Sequence, residues 1–301
     1  HRWMAAMLTV ITLIGCAAIT AAPGAKDTTH ACISTPGGAF WTVKSLTTRR
    51  NPFSHRQRNN RVSHSMTSTR ISTTVDYEKN GRQTGFLRLP HSVHESAYGF
   101  IPIPVVCLKN GAGPTVLLSS GNHGDEYEGQ VTLMKLIREL KSDQVQGRII
   151  FLPAANFPAA MAGRRTSPID AGNLNRSFPG DADGTPTKVI AHYIDSAILT
   201  QCQYAFDLHS GGSSLMYVPS ALGGVIPGET ERNAKVIDLL KTFGAPIGYV
   251  SAQMQGANQT LGSSATRRGV IAMGTELGGS GTVTPAALKV AEAGVRRLLK
   301  H

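Results

Sequence analysis

The 301-residue chain is short of cysteine, aromatic residues and, in its first fifth, acids. Its four cysteines, Cys16, Cys32, Cys107 and Cys202, form no close pair. That excludes a disulfide framework or a zinc knuckle and makes a reducing, cytoplasmic compartment the default. Aromatics make up 6% of the chain, and no basic stripe with interleaved aromatics occurs. A nucleic-acid interface is therefore not expected, despite a formal charge of +11. The charge is also uneven. Residues 1–65 hold eight Lys/Arg against a single acid, Asp27, while the rest of the chain is nearly balanced. Internal repeats are absent.

What is present divides at Met66. Met4–Ala22 is an apolar run with one Arg before it and small residues after it, like a secretory signal or a short membrane anchor. Leu13-Ile-Gly-Cys16 resembles a lipoprotein cleavage box. Residues 23–65 are basic and without sustained periodicity, and 55–64 reads as disordered. The change of composition at Met66 is read as a native start, with 1–65 a disordered or non-native extension and 66–301 the catalytic domain. The competing reading is an exported or membrane-tethered protein, and only then would a membrane be a partner.

From residue 70 the chain alternates strand and helix patterns. Strands are expected at Phe86–Pro90, Tyr98–Leu108, Thr115–Leu118, Arg148–Pro153, Tyr204–Leu208, Met216–Pro219 and Val270–Met273. The prolines put Ile101–Pro104 at an edge or a strand start. Asn110-Gly111 predicts a hairpin into 115–118. Helices are expected at 129–141, Thr187–Leu199, Glu229–Phe243 and Pro285–Leu299. This order predicts an α/β fold with a mixed, mostly parallel sheet flanked by helices. A long Gly/Pro/Asn/Arg-rich loop spans roughly 154–185, a length that usually marks function.

Chemistry concentrates on strand-end loops. Ser119–Gly129 (S-S-G-N-H-G-D-E-Y-E-G) joins the strand at 115–118 to a helix, with Gly121 and Gly124 positioned for a turn. A spacing of three lets His123 and Glu126 converge on one point. The other reading is a polar loop in which Asp125 and Glu128 suit the helix dipole. With His209, the set becomes two imidazoles and a carboxylate, the ligands of catalytic zinc, one ion per chain. Glu276 is then the candidate general base. Arg165, with Arg164 beside it, is the candidate partner of the oxyanion. Asn175 and Arg176 would hold a substrate carboxylate. Each residue alone has a plainer role: a turn cap for His209, a surface acid for Glu276, a loop pin for Asn175 and Arg176. Asp207 is either an orienter of a ligand histidine or a turn residue. The ordered set H-x-x-E, N-L-N-R, D-L-H-S and T-E-L-G-G is far more specific than any member.

These motifs, with S-P-I-D-A-G-N-L-N-R-S-F-P-G and G-T-E-L-G-G, resemble the succinylglutamate desuccinylase/aspartoacylase family, a branch of the zinc carboxypeptidase-like fold. F-L-R-L-P-H-S and R-T-S-P-I-D point to its diaminobutyrate deacetylase branch, of ectoine breakdown. The resemblance covers about 70–301. It implies His123, Glu126 and His209 as zinc ligands, Glu276 as base, Asn175 and Arg176 as carboxylate binders, and Arg164 or Arg165 at the oxyanion. The expected activity is hydrolysis of an acetyl or other short acyl group from a small N-acyl amino acid, N-alpha-acetyl-L-2,4-diaminobutyrate first. N-acetylaspartate, N-succinylglutamate or a small peptide are the alternatives, and a non-catalytic tethered binding module is the alternative of another class. Self-association is left open. Family members usually continue into a β-rich C-terminal segment, so a truncated form is expected here.

Overall fold

A computed structural model describes residues 69–96, 98–252 and 258–301, and the backbone of 30–34 and 40–44. The apolar run 4–22 and the Arg-rich stretch 55–64 lie outside the described residues. Among the described residues no helix is long and apolar enough to cross a membrane.

The strands are β1 (His30–Ser34), β2 (Phe40–Lys44), β3 (Ser72–Thr73), β4 (Gly81–Pro90), β5 (Phe100–Asn110), β6 (Thr115–Ser120), β7 (Gly147–Leu152), β8 (Tyr204–His209), β9 (Ser220–Val225), β10 (Ile247–Ala252) and β11 (Ile271–Glu276). They form one mixed sheet in the order β1-β2-β10-β9-β11-β8-β6-β7-β5-β4-β3. Its centre, β11-β8-β6-β7, is parallel. Antiparallel pairing begins on either side, at β9–β11 and β5–β7. Nine of these strands come from the segment beyond Met66, and β1 and β2 add to the β10 edge.

Both faces of the centre are covered, which is why its strands read as continuous apolar runs rather than alternating ones. One face packs Leu117, Ile150, Ala205 and Ala272 against α3 (Pro186–Tyr193) and α5 (Leu261–Arg267). The other packs Leu118, Phe151, Phe206 and Met273 against α1 (Tyr127–Glu139), α4 (Thr230–Phe243) and α6 (Pro285–Leu298). Thr284 caps α6 by accepting the Ala287 N–H, and Gly244 closes α4 at φ +67°. Phe151 and Leu118 are fully buried, so truncating either to Ala would cost about 2–5 kcal/mol.

Three sequence expectations change. Gly111 does take the left-handed turn, at φ +64°, but β5 does not pair with β6. β7 inserts between them. β6 is apolar on both faces and takes parallel partners on both sides, whereas a turn signal sets only the local reversal. Met216–Pro219 is not a strand: Met216 makes an isolated bridge to Gly279, and the strand begins at Ser220. Its apolar side chains Met216 and Val218 are exposed, with no layer above them. The long loop holds α2 (Phe157–Ala162) and a 3-10 turn, Leu174–Arg176. Ile101–Pro104 does lie at an open margin, since β7 pairs only from Val106 onward.

Registry then positions the chemistry. Ser119 lies level with Asp207, Gly274 with Asp207, and Glu276 with His209. His209 and Glu276 are the last residues of β8 and β11 rather than loop residues as expected, and with the His123 loop they meet at the same edge of the parallel centre, where such sheets bind ligands.

Candidate metal centre

The His123 loop is shaped by two glycines for different reasons. Gly121 is left-handed at φ +67°, and a Cβ there would stand 2.9 Å from Ala154 Cα. Gly124 does not share that left-handed φ. Its requirement is space: a Cβ would meet the Ala159 carbonyl carbon at 2.0 Å. The Gly124 N–H donates to the Arg164 carbonyl at 2.9 Å, pressing the loop onto the end of α2. Glu126 occupies the N-cap position of α1 yet makes no capping bond. Its carboxylate turns inward instead. Asp125 and Glu128 are not solvated partners of the helix dipole. Both are buried, Asp125 accepting the Ser213 N–H and hydroxyl at 2.9 and 2.8 Å, and Glu128 accepting the Gly279 N–H at 2.8 Å. They tie the three strand-end loops together.

His123 Nδ1 lies 2.6 Å from Glu126 Oε1, and His209 Nδ1 lies 2.8 Å from Glu126 Oε2. The three donor atoms sit within 4.8 Å of one another, all on buried residues. Among the described residues this is the one His/Cys/Asp/Glu group arranged to hold a metal. Each outer ring nitrogen faces an oxygen: His123 Nε2 meets Asn173 Oδ1 at 3.1 Å and His209 Nε2 meets Asp207 Oδ2 at 2.7 Å. An Nε2–H donating outward leaves Nδ1 as the lone-pair nitrogen, aimed inward. Two such imidazoles and one carboxylate fit a catalytic zinc ion, which needs a further position open.

The electrostatics follow from this crowding. Burial opposes ionisation of Glu126, but the adjacent His123 and His209 imidazoles outweigh it and hold the carboxyl down to about 2. Burial likewise opposes charge on His209, but Asp207 and Glu126 overcome it and raise the imidazole well above its ordinary range. Glu276 is pushed the other way, to about 7, mainly by burial. Its Oε2 is buried without a hydrogen-bond partner in the protein, and the carboxyl feels the charges of His209, Glu126, Arg165 and Asp207.

The structure separates the two arginines. Arg165 Nη1 lies 3.3 Å from Glu126 Oε1 with its side chain half exposed. Arg164 is exposed and contributes its backbone carbonyl. Asn175 Nδ2 lies 3.2 Å from His209 Nε2, and Asn175 Oδ1 accepts the Leu261 N–H at 2.9 Å. Arg176 is exposed and turned onto the Asn175 carbonyl at 2.7 Å. Asn175 and His209 line a cavity of about 310 Å³ that also holds Arg232, Tyr249 and Thr260. A larger cavity, about 560 Å³, lies among Val116, Tyr204 and Arg296 and contains no candidate site residue. Two polar contacts escaped the sequence reading, Asn173 on His123 and Asn122 on Asp207. Asn122 had one signal, its place directly before a ligating-type histidine on a strand-end loop.

Comparison with known proteins places the chain among relatives of one family. The model of the succinylglutamate desuccinylase/aspartoacylase catalytic domain matches residues 112–301. An N-alpha-acetyl-L-2,4-diaminobutyric acid deacetylase from Halomonas elongata is 47% identical over 231 residues, 77% of this chain and 67% of that protein. The product-bound ectoine utilization protein EutE (DoeB) from Ruegeria pomeroyi superposes with a TM-score of 0.74 at 41% identity, covering 78% of this chain and 71% of that one. A succinylglutamate desuccinylase from Silicibacter sp. TM1040 gives 0.75 at 38% identity, with coverages of 78% and 71%. The chain belongs to the succinylglutamate desuccinylase/aspartoacylase family.

Proposed function

We propose that this chain is a zinc-dependent amidohydrolase that removes the acetyl group from N-alpha-acetyl-L-2,4-diaminobutyrate. The observation that carries the chemistry is the convergence of His123 Nδ1, His209 Nδ1 and the Glu126 carboxylate, with Glu276 level with His209 on the next strand. The substrate rests on the 47% identity to the Halomonas elongata deacetylase.

His123, Glu126 and His209 would hold a zinc ion, which would supply Lewis acidity toward the acyl carbonyl and toward water. Glu276, as carboxylate, takes a proton from the attacking water. The new C–O bond forms as the carbonyl π electrons move onto oxygen. Arg165 donates to that oxyanion. Glu276 then passes its proton to the amide nitrogen, the oxyanion re-forms the carbonyl as the C–N bond breaks, and acetic acid and the amine leave, the acid's proton passing to the amine to give acetate and ammonium. A Glu276 carboxyl near 7 suits both halves of this exchange. Asn175, fixed by the Leu261 N–H, and Arg176 are the proposed binders of the substrate carboxylate.

A second substrate reading has its own support. Arg232, partly buried and 3.8 Å from Glu229, lines the cavity beside His209, and a cation there favours an acidic N-acyl amino acid such as N-acetylaspartate.

The test is zinc content of the purified chain beside His209→Ala, followed by turnover of a panel of N-acyl amino acids. Near one zinc per chain, absent from the variant, is expected, with N-alpha-acetyl-diaminobutyrate the preferred substrate. A folded chain without zinc overturns the ligand set. Preference for N-acetylaspartate or N-succinylglutamate moves the activity to the second reading.

A further inference from the structure

Asn122 directly precedes His123 and is 1% exposed. It stands just past β6, where Ser119 is level with Asp207 of β8. Its Nδ2 lies 2.7 Å from Asp207 Oδ1 and 2.8 Å from Asp207 Oδ2. One amide nitrogen therefore holds both carboxylate oxygens. Asp207 Oδ2 also accepts from His209 Nε2 at 2.7 Å. Asp207 and His209 are alternate residues of one strand, so they share a face. A continuous chain of contacts thus runs from the residue beside one metal donor to the other.

The direction of the Asn122 amide is set by chemistry. Flipping it would place Oδ1 against two anionic oxygens. In the orientation observed, Oδ1 is buried without a partner in the protein, so this side chain gives up a hydrogen bond to keep Nδ2 on Asp207. A competitor makes that grip matter. Asn175 Oδ1 is committed to the Leu261 N–H, so its Nδ2 must face His209 Nε2, 3.2 Å away. An amide N–H is satisfied there only by a bare Nε2, the tautomer with its proton on Nδ1 and no lone pair left for a metal. Asp207 demands the opposite tautomer.

We propose that Asn122 is a positioning residue: it holds Asp207 against His209 Nε2 and thereby keeps the His209 Nδ1 lone pair available. The proposal rests on the reading of His209 as a zinc ligand. Removing the amide lets the Asp207 carboxylate turn away, and Asn175 then biases His209 toward the tautomer that cannot bind.

The test is a double-mutant cycle read as zinc affinity by chelator competition, on wild type, Asn122→Ala, Asp207→Ala and the double variant. Each single change should weaken zinc ~10–100-fold. The double variant should match Asp207→Ala within about twofold, because Asn122 acts only through Asp207. Visible bands of the cobalt(II)-substituted protein should shift alike in both single variants and no further in the double. Asn122→Ser, smaller and polar, replaces the alanine variant in the cycle if that one does not fold. Additive losses, or unchanged zinc affinity in the folded Asn122 variant, overturn the proposal while leaving the ligand set standing. A folded wild-type chain that binds no zinc overturns both.

Discussion

The two imidazoles of the site are held in different ways. His123 sits on a loop, and its outer nitrogen meets the neutral amide oxygen of Asn173 at 3.1 Å. His209 ends a central strand, and its outer nitrogen meets the anionic carboxylate of Asp207 at 2.7 Å. A carboxylate partner makes an imidazole a stronger donor and holds its orientation more firmly than an amide does. His209 is thus the electrostatically braced half of the pair, while His123 depends on loop packing, through Gly124 against α2 and through the Glu126 contact. The candidate metal site combines one half fixed by charge and one fixed by shape.

The largest expected effect breaks the pair outright. His209→Ala or His123→Ala should abolish zinc binding and turnover together, measured by metal analysis and amine release. Loss of activity with zinc retained would remove that histidine from the ligand set. Glu276→Gln should separate the two readouts, keeping zinc while turnover falls about 10²–10⁴-fold. Near-normal turnover in that variant would remove Glu276 as base. Next in size, Arg165→Ala should lower kcat about 10²–10³-fold, whereas Arg164→Ala, with an outward side chain, should lower it little. A reversed order would give the oxyanion to Arg164.

The comparison itself is sharpened by the outer partners. Asp207→Asn should weaken zinc ~10–100-fold, and Asn173→Ala should weaken it less, because a neutral contact is lost in place of a charged one. Equal losses would mean that both histidines are held by packing alone. The smallest effect is one of stability in the metal-free chain. Burial raises the folded Glu276 carboxyl to about 7, against an ordinary value near 4.5. The folded state then binds this proton more tightly than the unfolded state. The associated stability is fully present below about pH 4.5 and is lost as pH rises through about 7. Metal-free Glu276→Gln should therefore melt above metal-free wild type near pH 8, with the gap closing near pH 5. A gap that does not change with pH would rule out burial as the cause.

Much of the site was legible before any coordinates. H-x-x-E follows the end of β6, D-L-H and T-E close β8 and β11 themselves, and the parallel centre brings those strand ends to one edge. The strands easiest to read were those with dense apolar runs, such as β6 and β7, where burial on both faces leaves a strong compositional trace. β9 (S-A-L-G-G-V) and β10 (I-G-Y-V-S-A) escaped notice. Their glycines dilute the β pattern, and Gly223 is there because a Cβ would press on Val236 and Leu240 of α4. α5 (L-G-S-S-A-T-R) was missed for a similar reason, being about two turns of mostly small residues capped by Thr260.

What the sequence determined by itself is local. Apolar periodicity, turn glycines and the H-x-x-E spacing place His123 and Glu126 between a strand and a helix, and the motif order carries the family. What the tertiary structure decided is non-local. The insertion of β7 between β5 and β6 depends on which strands can bury both faces, which no single segment specifies. The choice of Arg165 over Arg164 beside Glu126 depends on how α2 ends against the His123 loop. The contacts of Asn122 and Asn173 join residues 85 and 50 positions away, and they depend on strand register and loop packing. A chain of L-residues encodes its turns within a few positions, but it encodes its pairings only through the packing of the whole.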